Sequence, residues 1–133
     1  MRRLAIILIV TLLLCPRAFA INPTTVNISV AVNQKPEIIA SQPADGFIIT
    51  EGMTLEISVT ADDDNISDTL MYQYYINGAV EQDWTENSTF PYKLENKDIG
   101  LNSIYVKVTD GVETVPTDTV EIYVFRSSPS LPE

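Results

Sequence analysis

Short runs that alternate apolar with polar residues, each closed by a turn signal, leave this chain little choice but β-structure. Between Met53 and Ala61, the residues Met53, Leu55, Ile57, Val59 and Ala61 are apolar, while Thr54, Glu56, Ser58 and Thr60 are polar. This period of two lets a strand bury one face and wet the other. The pattern returns at Leu70, Tyr72, Tyr74 and Ile76, at Ile104, Val106 and Val108, and at Val120, Ile122 and Val124. No window of a dozen residues holds apolar positions at three-four spacing, so helices are not expected.

The turn signals divide the chain into about seven predicted strands. Glu37 to Gln42 opens, "QPADG" turns, and "FIIT" resumes the strand. Met53 to Ala61 follows and is broken by the acidic stretch "DDDNISD". The strand from Leu70 to Ile76 ends at Asn77-Gly78, a pair suited to a hairpin whose two central residues need positive φ. The chain returns from Ala79 toward Trp84. Thr89 to Leu94 is expected at a sheet edge because Pro91 lacks an N–H. Asp98-Ile99-Gly100 makes a corner, Asp110-Gly111 a turn, and Thr117 to Phe125 the last strand. A further alternating run, "TVNISVAV" from Thr25, precedes them all.

The first twenty residues carry Arg2 and Arg3, an apolar run from Leu4 to Cys15, and small residues at Ala18 and Ala20. They read as a secretory signal peptide cleaved after Ala20, too short in its apolar part to span a bilayer. The alternative is lipidation of Cys15, against which Leu14 stands where a small residue is wanted. Cleavage removes the only cysteine, so the exported fold must rest on packing without disulfides. It also leaves five basic residues against eighteen acidic ones, a net charge of −13. Nucleic acid and anionic lipid are poor partners for such a surface. Residues 21–34 are assigned to an N-terminal strand and linker, 35–126 to one domain of self-sufficient size, and 127–133 to a disordered tail. No mature segment is long enough to span a membrane.

The order "EGMTLEISVTADDDNISDTLMYQYYING", then "DIGLNSIYVKVTDG", then a last alternating strand resembles the bacterial immunoglobulin-like, cadherin-like and PKD-like extracellular modules. The resemblance covers roughly residues 35–125. It implies an all-β, immunoglobulin-like antiparallel β-sandwich of about seven strands, to which the N-terminal strand is an extra. Tyr72 or Tyr74 stands where the immunoglobulin pattern has a buried Trp, and the cysteine pair of that pattern is missing.

The expected mature chain has no His and no Cys, the usual general base and the best nucleophile, and its lysines form no Ser-x-x-Lys arrangement. A small sandwich leaves little room for the cleft that paired carboxylates need in glycoside hydrolysis. No enzymatic activity is expected. Carboxylates are the richest chemical feature: Asp62, Asp63, Asp64, Asn65 and Asp68, with Asp110, Glu113 and Asp118 expected at the same pole near the Asn33–Glu37 linker. Calcium takes six to eight oxygen ligands, and Asp62, Asp64, Asn65, Asp68 and Asp110 are the candidate set. Cadherin-like repeats imply a calcium that stiffens the joint with a preceding module. The competing reading is a solvated acidic turn whose side chains satisfy nearby N–H groups.

Tyr75, Trp84 and Phe90 are candidates for an aromatic platform that binds sugar rings, and equally for edge packing. Asn27, Asn65 and Asn87 each begin a glycan acceptor triplet, which, in the bacterial export setting that the resemblance implies, is coincidence. The functional expectation is a structural or adhesive interaction module, secreted, periplasmic or at the cell surface, with a protein or a surface polysaccharide as partner and calcium as its one candidate cofactor. The alternatives are a carbohydrate-binding module and an accessory domain of an exported enzyme. "TVNISVAV" from Thr25 echoes "TVEIYVFR" from Thr119, about one sandwich domain apart. That N-terminal strand either pairs within its own sandwich or supports self-association by strand addition.

Overall fold

The structure, a computed structural model, describes residues 32–65 and 68–128. The expected leader, the strand from Thr25, Cys15 and residues 129–133 lie outside the described residues. Among the described residues there are nine strands: β1 (Glu37–Gln42), β2 (Phe47–Thr50), β3 (Thr54–Asp62), β4 (Met71–Ile76), β5 (Ala79–Thr85), β6 (Thr89–Lys93), β7 (Gly100–Thr109), β8 (Thr114–Pro116) and β9 (Val120–Phe125). They form a sandwich of one sheet ordered β1-β3-β6 and a larger one ordered β2-β9-β7-β4-β5, with β8 on β7. All pairings are antiparallel except β2 with β9.

Two strands exceed the expected seven. The "FIIT" run does not extend β1. After the cis Gln42–Pro43 peptide the chain changes sheets, so β1 pairs β3 while β2 pairs β9. Thr117 was expected to open the last strand, but its N–H donates to the Val106 carbonyl and its Oγ accepts the Val106 N–H. This tie separates β8 from β9.

Alternation places the core between the sheets. Leu55, Ile57 and Val59 of β3 face Tyr72, Tyr74 and Ile76 of β4, Ile104, Val106 and Val108 of β7, and Ile122 and Val124 of β9. Tyr74 crosses the layer: its ring lies 5.3 Å from that of Phe90 on the opposite sheet, and its hydroxyl donates to the Asn87 carbonyl at 2.8 Å. At the Asn77-Gly78 hairpin both residues have positive φ, 52° and 78°, as the twist of a tight hairpin requires. Pro91 sits on β6, an edge of the smaller sheet.

Met53 departs from the expected inward row. It precedes β3, in the turn closed by its N–H to the Thr50 carbonyl, and is 55 % exposed. Ile57→Ala is therefore expected to cost about 3 kcal/mol through transfer and cavity terms, and Met53→Ala less than about 0.5 kcal/mol. Urea denaturation of the two variants checks this, and equal losses would show the inward row to be misplaced.

Candidate metal centre

The inward rows of three strands run out into carboxylates at one pole. Beyond Val59 and Ala61 of β3, the next position of the same parity is Asp63. Beyond Val106 and Val108 of β7 it is Asp110, and two positions ahead of Leu70 is Asp68. Carboxylate oxygens of Asp63, Asp68 and Asp110 lie within 4.8 Å of one another. The core thus ends, on this side, in three converging anions.

Local hydrogen bonds hold two of them. Asp63 Oδ1 accepts the Asn65 N–H at 2.7 Å. Its other oxygen, Oδ2, is buried with no hydrogen-bond partner among the described residues. Asp110 Oδ1 accepts the N–H groups of Val112 and Glu113, both at 2.7 Å, across a turn in which Gly111 takes φ 93°. Asp110 Oδ2 accepts from Asn33 Nδ2 at 2.8 Å, and Asn33 Oδ1 in turn accepts from Asn65 Nδ2 at 3.0 Å. The linker before β1 is thereby fastened to both loops that carry the acids.

The structure brings together two of the five candidate ligands, Asp68 and Asp110, and links Asn65 to Asp110 by two hydrogen bonds through Asn33. Asp62 and Asp64 are not in the cluster. They flank Asp63 and take the opposite parity; all three, with Glu37 and Asp118, line an open cleft of about 560 Å³ beside the linker. Glu113 serves the Asp110 turn through its backbone. Asp63 was missing from the candidate set, and the signal that identifies it is the parity of the β3 row. With three carboxylates and two amide side chains nearby, the donor set is all oxygen. Hard cations prefer such a set.

The structure does not bring the three aromatic candidates together. Tyr75 is only 9 % exposed; its ring is stacked on Tyr105 at 4.4 Å and carries the Lys107 ammonium 4.9 Å from its centroid. Trp84, 38 % exposed, stands at the other end of the β4–β5 ladder, where Thr85 pairs with Tyr72 while Tyr75 pairs with Val80. Phe90 packs into the core against Tyr74 and Tyr92. Among the described residues no helix is long and apolar enough to cross a membrane.

No protein-family model matches the chain, and no curated protein matches it. Solved structures do. The chain is similar to Sidekick-1 immunoglobulin domains 1–5, at 18 % identity and TM-score 0.57 over 69 % of this chain and 18 % of that one. It is similar to the fibronectin(III)-like modules of CbhA from Clostridium thermocellum, at 20 % identity and TM-score 0.54 over 74 % and 50 %. It is also similar to SGBP-B of the Bacteroides ovatus mixed-linkage glucan utilization locus, solved with a mixed-linkage heptasaccharide, at 16 % identity and TM-score 0.50 over 71 % and 25 %. The chain spans at most half the length of these structures. At such identities the likeness establishes the fold: an immunoglobulin-like, fibronectin-III-like β-sandwich.

The N–H of Glu113, then the Asn33 amide and the N–H of Val112, hold the Asp110 carboxyl below the usual carboxylate range. A carboxyl whose pKa is depressed by folding contributes stability above its unfolded value, near pH 4, and loses it as pH falls through the lower folded value. Thermal melts across the acid range should therefore show a smaller acid-induced fall in Tm for Asp110→Asn than for the parent. Parallel curves would mean that Asp110 takes no part in acid unfolding.

Proposed function

We propose that this chain is a non-catalytic module of an exported or surface-exposed protein, and that its acidic pole binds one calcium ion which locks the N-terminal linker onto the sandwich. The observation that carries this reading is the convergence of Asp63, Asp68 and Asp110, with one Asp63 oxygen buried and without a hydrogen-bond partner among the described residues. Like charges this close repel unless a cation neutralises them. Asn33 supplies the mechanical link, since the residue that touches Asp110 and Asn65 belongs to the segment leading into β1. Bound calcium would supply positive charge and flexible oxygen coordination, to which the three carboxylates and the Asn33 and Asn65 amide oxygens are suited. Magnesium, which demands near-ideal octahedral geometry, is the poorer fit.

The non-catalytic part of the proposal rests on chemistry as well as fold. The chain has no His, and its one Cys lies in the expected leader. A second reading, glycan binding, is supported by exposed Trp84 and by the similarity to a structure solved with an oligosaccharide. Polysaccharide pull-down with Trp84→Ala as control would test it, and equal retention of the two proteins would count against it.

The calcium reading is tested by melting the protein with and without millimolar calcium. The expected result is a rise in Tm, because a ligand that binds only the folded state stabilises it by about 2.7 kcal/mol at a hundredfold excess over Kd. Asp63→Asn should raise the metal-free Tm by relieving repulsion and abolish the calcium response. A folded parent protein whose Tm ignores calcium would overturn the proposal.

A further inference from the structure

Besides the three-residue β8, which pairs only with β7 and ends at Pro116, the two sheets expose four edges among the described residues, and three carry a feature that discourages another strand from joining. β6 contains Pro91, which has no N–H to offer. β1 has a register break between Ile38 and Ala40, a bulge that disrupts a flat edge. β5 presents Glu81 and Asp83, and its register shifts twice against β4. The fourth edge, β2, reads Phe47-Ile48-Ile49-Thr50 and has no charge, no proline and no break in its ladder with β9. On its outer side no strand pairs with it among the described residues.

The surface beside that edge is apolar as well. Ile48 lies opposite Tyr123 of β9, which lies opposite Leu101 of β7. Ile48 and Leu101 are 62 % and 63 % exposed, and the rings of Tyr123 and Phe125 lean together at 4.7 Å. A row of large apolar side chains therefore runs across three strands on the outward face and stops at β2. The ends of β2 also differ in charge. It begins beside Asp45 and Glu121, joined by the Glu121 N–H to Asp45 Oδ1 at 2.8 Å. It ends beside Lys93, whose ammonium donates to the Gly52 carbonyl, and Arg126, which follows the partner of Thr50. Glu51 at that end is engaged with the Ser127 N–H.

We infer that β2 is the edge through which two copies of this chain pair, antiparallel and about a two-fold axis, joining their larger sheets into one. A two-fold pairing uses the same patch on both molecules, so the patch must complement itself. Antiparallel β2 strands do so: the acidic end of each meets the basic end of the other, and the two Ile48-Tyr123-Leu101 rows become one continuous apolar band. Four residues make a short ladder, so the dimer is weak and concentration-dependent.

Sedimentation equilibrium of the chain recovered after export, from micromolar to millimolar concentration, tests the pairing. The expected mass climbs from monomer toward dimer, whereas Ile48→Lys stays monomeric with an unchanged Tm and Val80→Lys on the β5 edge behaves as the parent. In a Cys15→Ser background, Ile48→Cys should form an intermolecular disulfide under mild oxidation, and Val80→Cys should not. A parent that is monomeric throughout, a dimer that Ile48→Lys leaves intact, or cross-linking no stronger at β2 than at β5 would overturn the proposal. A monomer that dimerises only after residues 21–31 are removed would assign the edge to the chain's own N-terminal segment and overturn it equally.

Discussion

The whole molecule depends on packing the β3 row, Leu55, Ile57 and Val59, against the rows of β4, β7 and β9, with no covalent staple to help. Burying such side chains is worth about 2 kcal/mol each before the entropy of ordering the chain is subtracted. The sandwich must therefore keep its inward rows apolar over their full length, and no polar chemistry can be placed at the middle of the core. Tyr74 shows how strict this is. It is the largest fully buried side chain, and its hydroxyl reaches across to the Asn87 carbonyl at the rim. Polar side chains that face inward are accordingly confined to the two ends of the rows.

The two ends of the β7 row are finished differently. At one end stands Asn102, 4 % exposed, whose amide donates to the Asp98 and Gly100 carbonyls and accepts from Asn77 Nδ2 at 2.8 Å. A neutral group with its donors and acceptors engaged closes the core and asks for nothing further. At the other end stands Asp110, beside two more carboxylates, one of which has a buried oxygen with no donor among the described residues. The same strand thus carries a cap that completes itself at one pole and, at the other, a cluster of charge that a cation would complete. That contrast separates a structural polar end from a candidate functional one more sharply than any count of acidic residues.

The sandwich was legible because its signal is periodic: the rows of β3, β4, β7 and β9 and the hairpin at Asn77-Gly78 stand in the sequence as they stand in the structure. The switch of "FIIT" to the other sheet was not legible, because a strand's pairing partner is a long-range property that its own residues do not encode. The acidic pole was half legible. Composition located it, and the expected linker at Asn33 does reach it, but the candidate set took Asp62 and Asp64 from the "DDDN" run and left out Asp63. Extending the alternation of β3 by one residue past the strand selects Asp63, and the same step selects Asp110 from β7. Tyr75 misled for a related reason: its outward parity suggested an open ring, while Tyr105 on the neighbouring strand, known only from the pairing, covers it.

The β2 edge and the acidic pole sit at opposite ends of the sandwich. β9 pairs β7 through Gly100–Ile104, and β2 joins β9 over the same stretch, whereas Asp110 follows the last residue of β7. Along a strand rising about 3.3 Å per residue this separates the two by some 30 Å. Coupling over such a distance requires an element with two discrete arrangements. What lies between is a ladder of buried residues, and close-packed cores deform little. If both proposals hold, cation binding at one pole and strand pairing at the other are expected to be independent, the first setting how the linker meets the module and the second how modules meet each other. A sandwich with both could stiffen along the chain and associate across it without either event altering the affinity of the other.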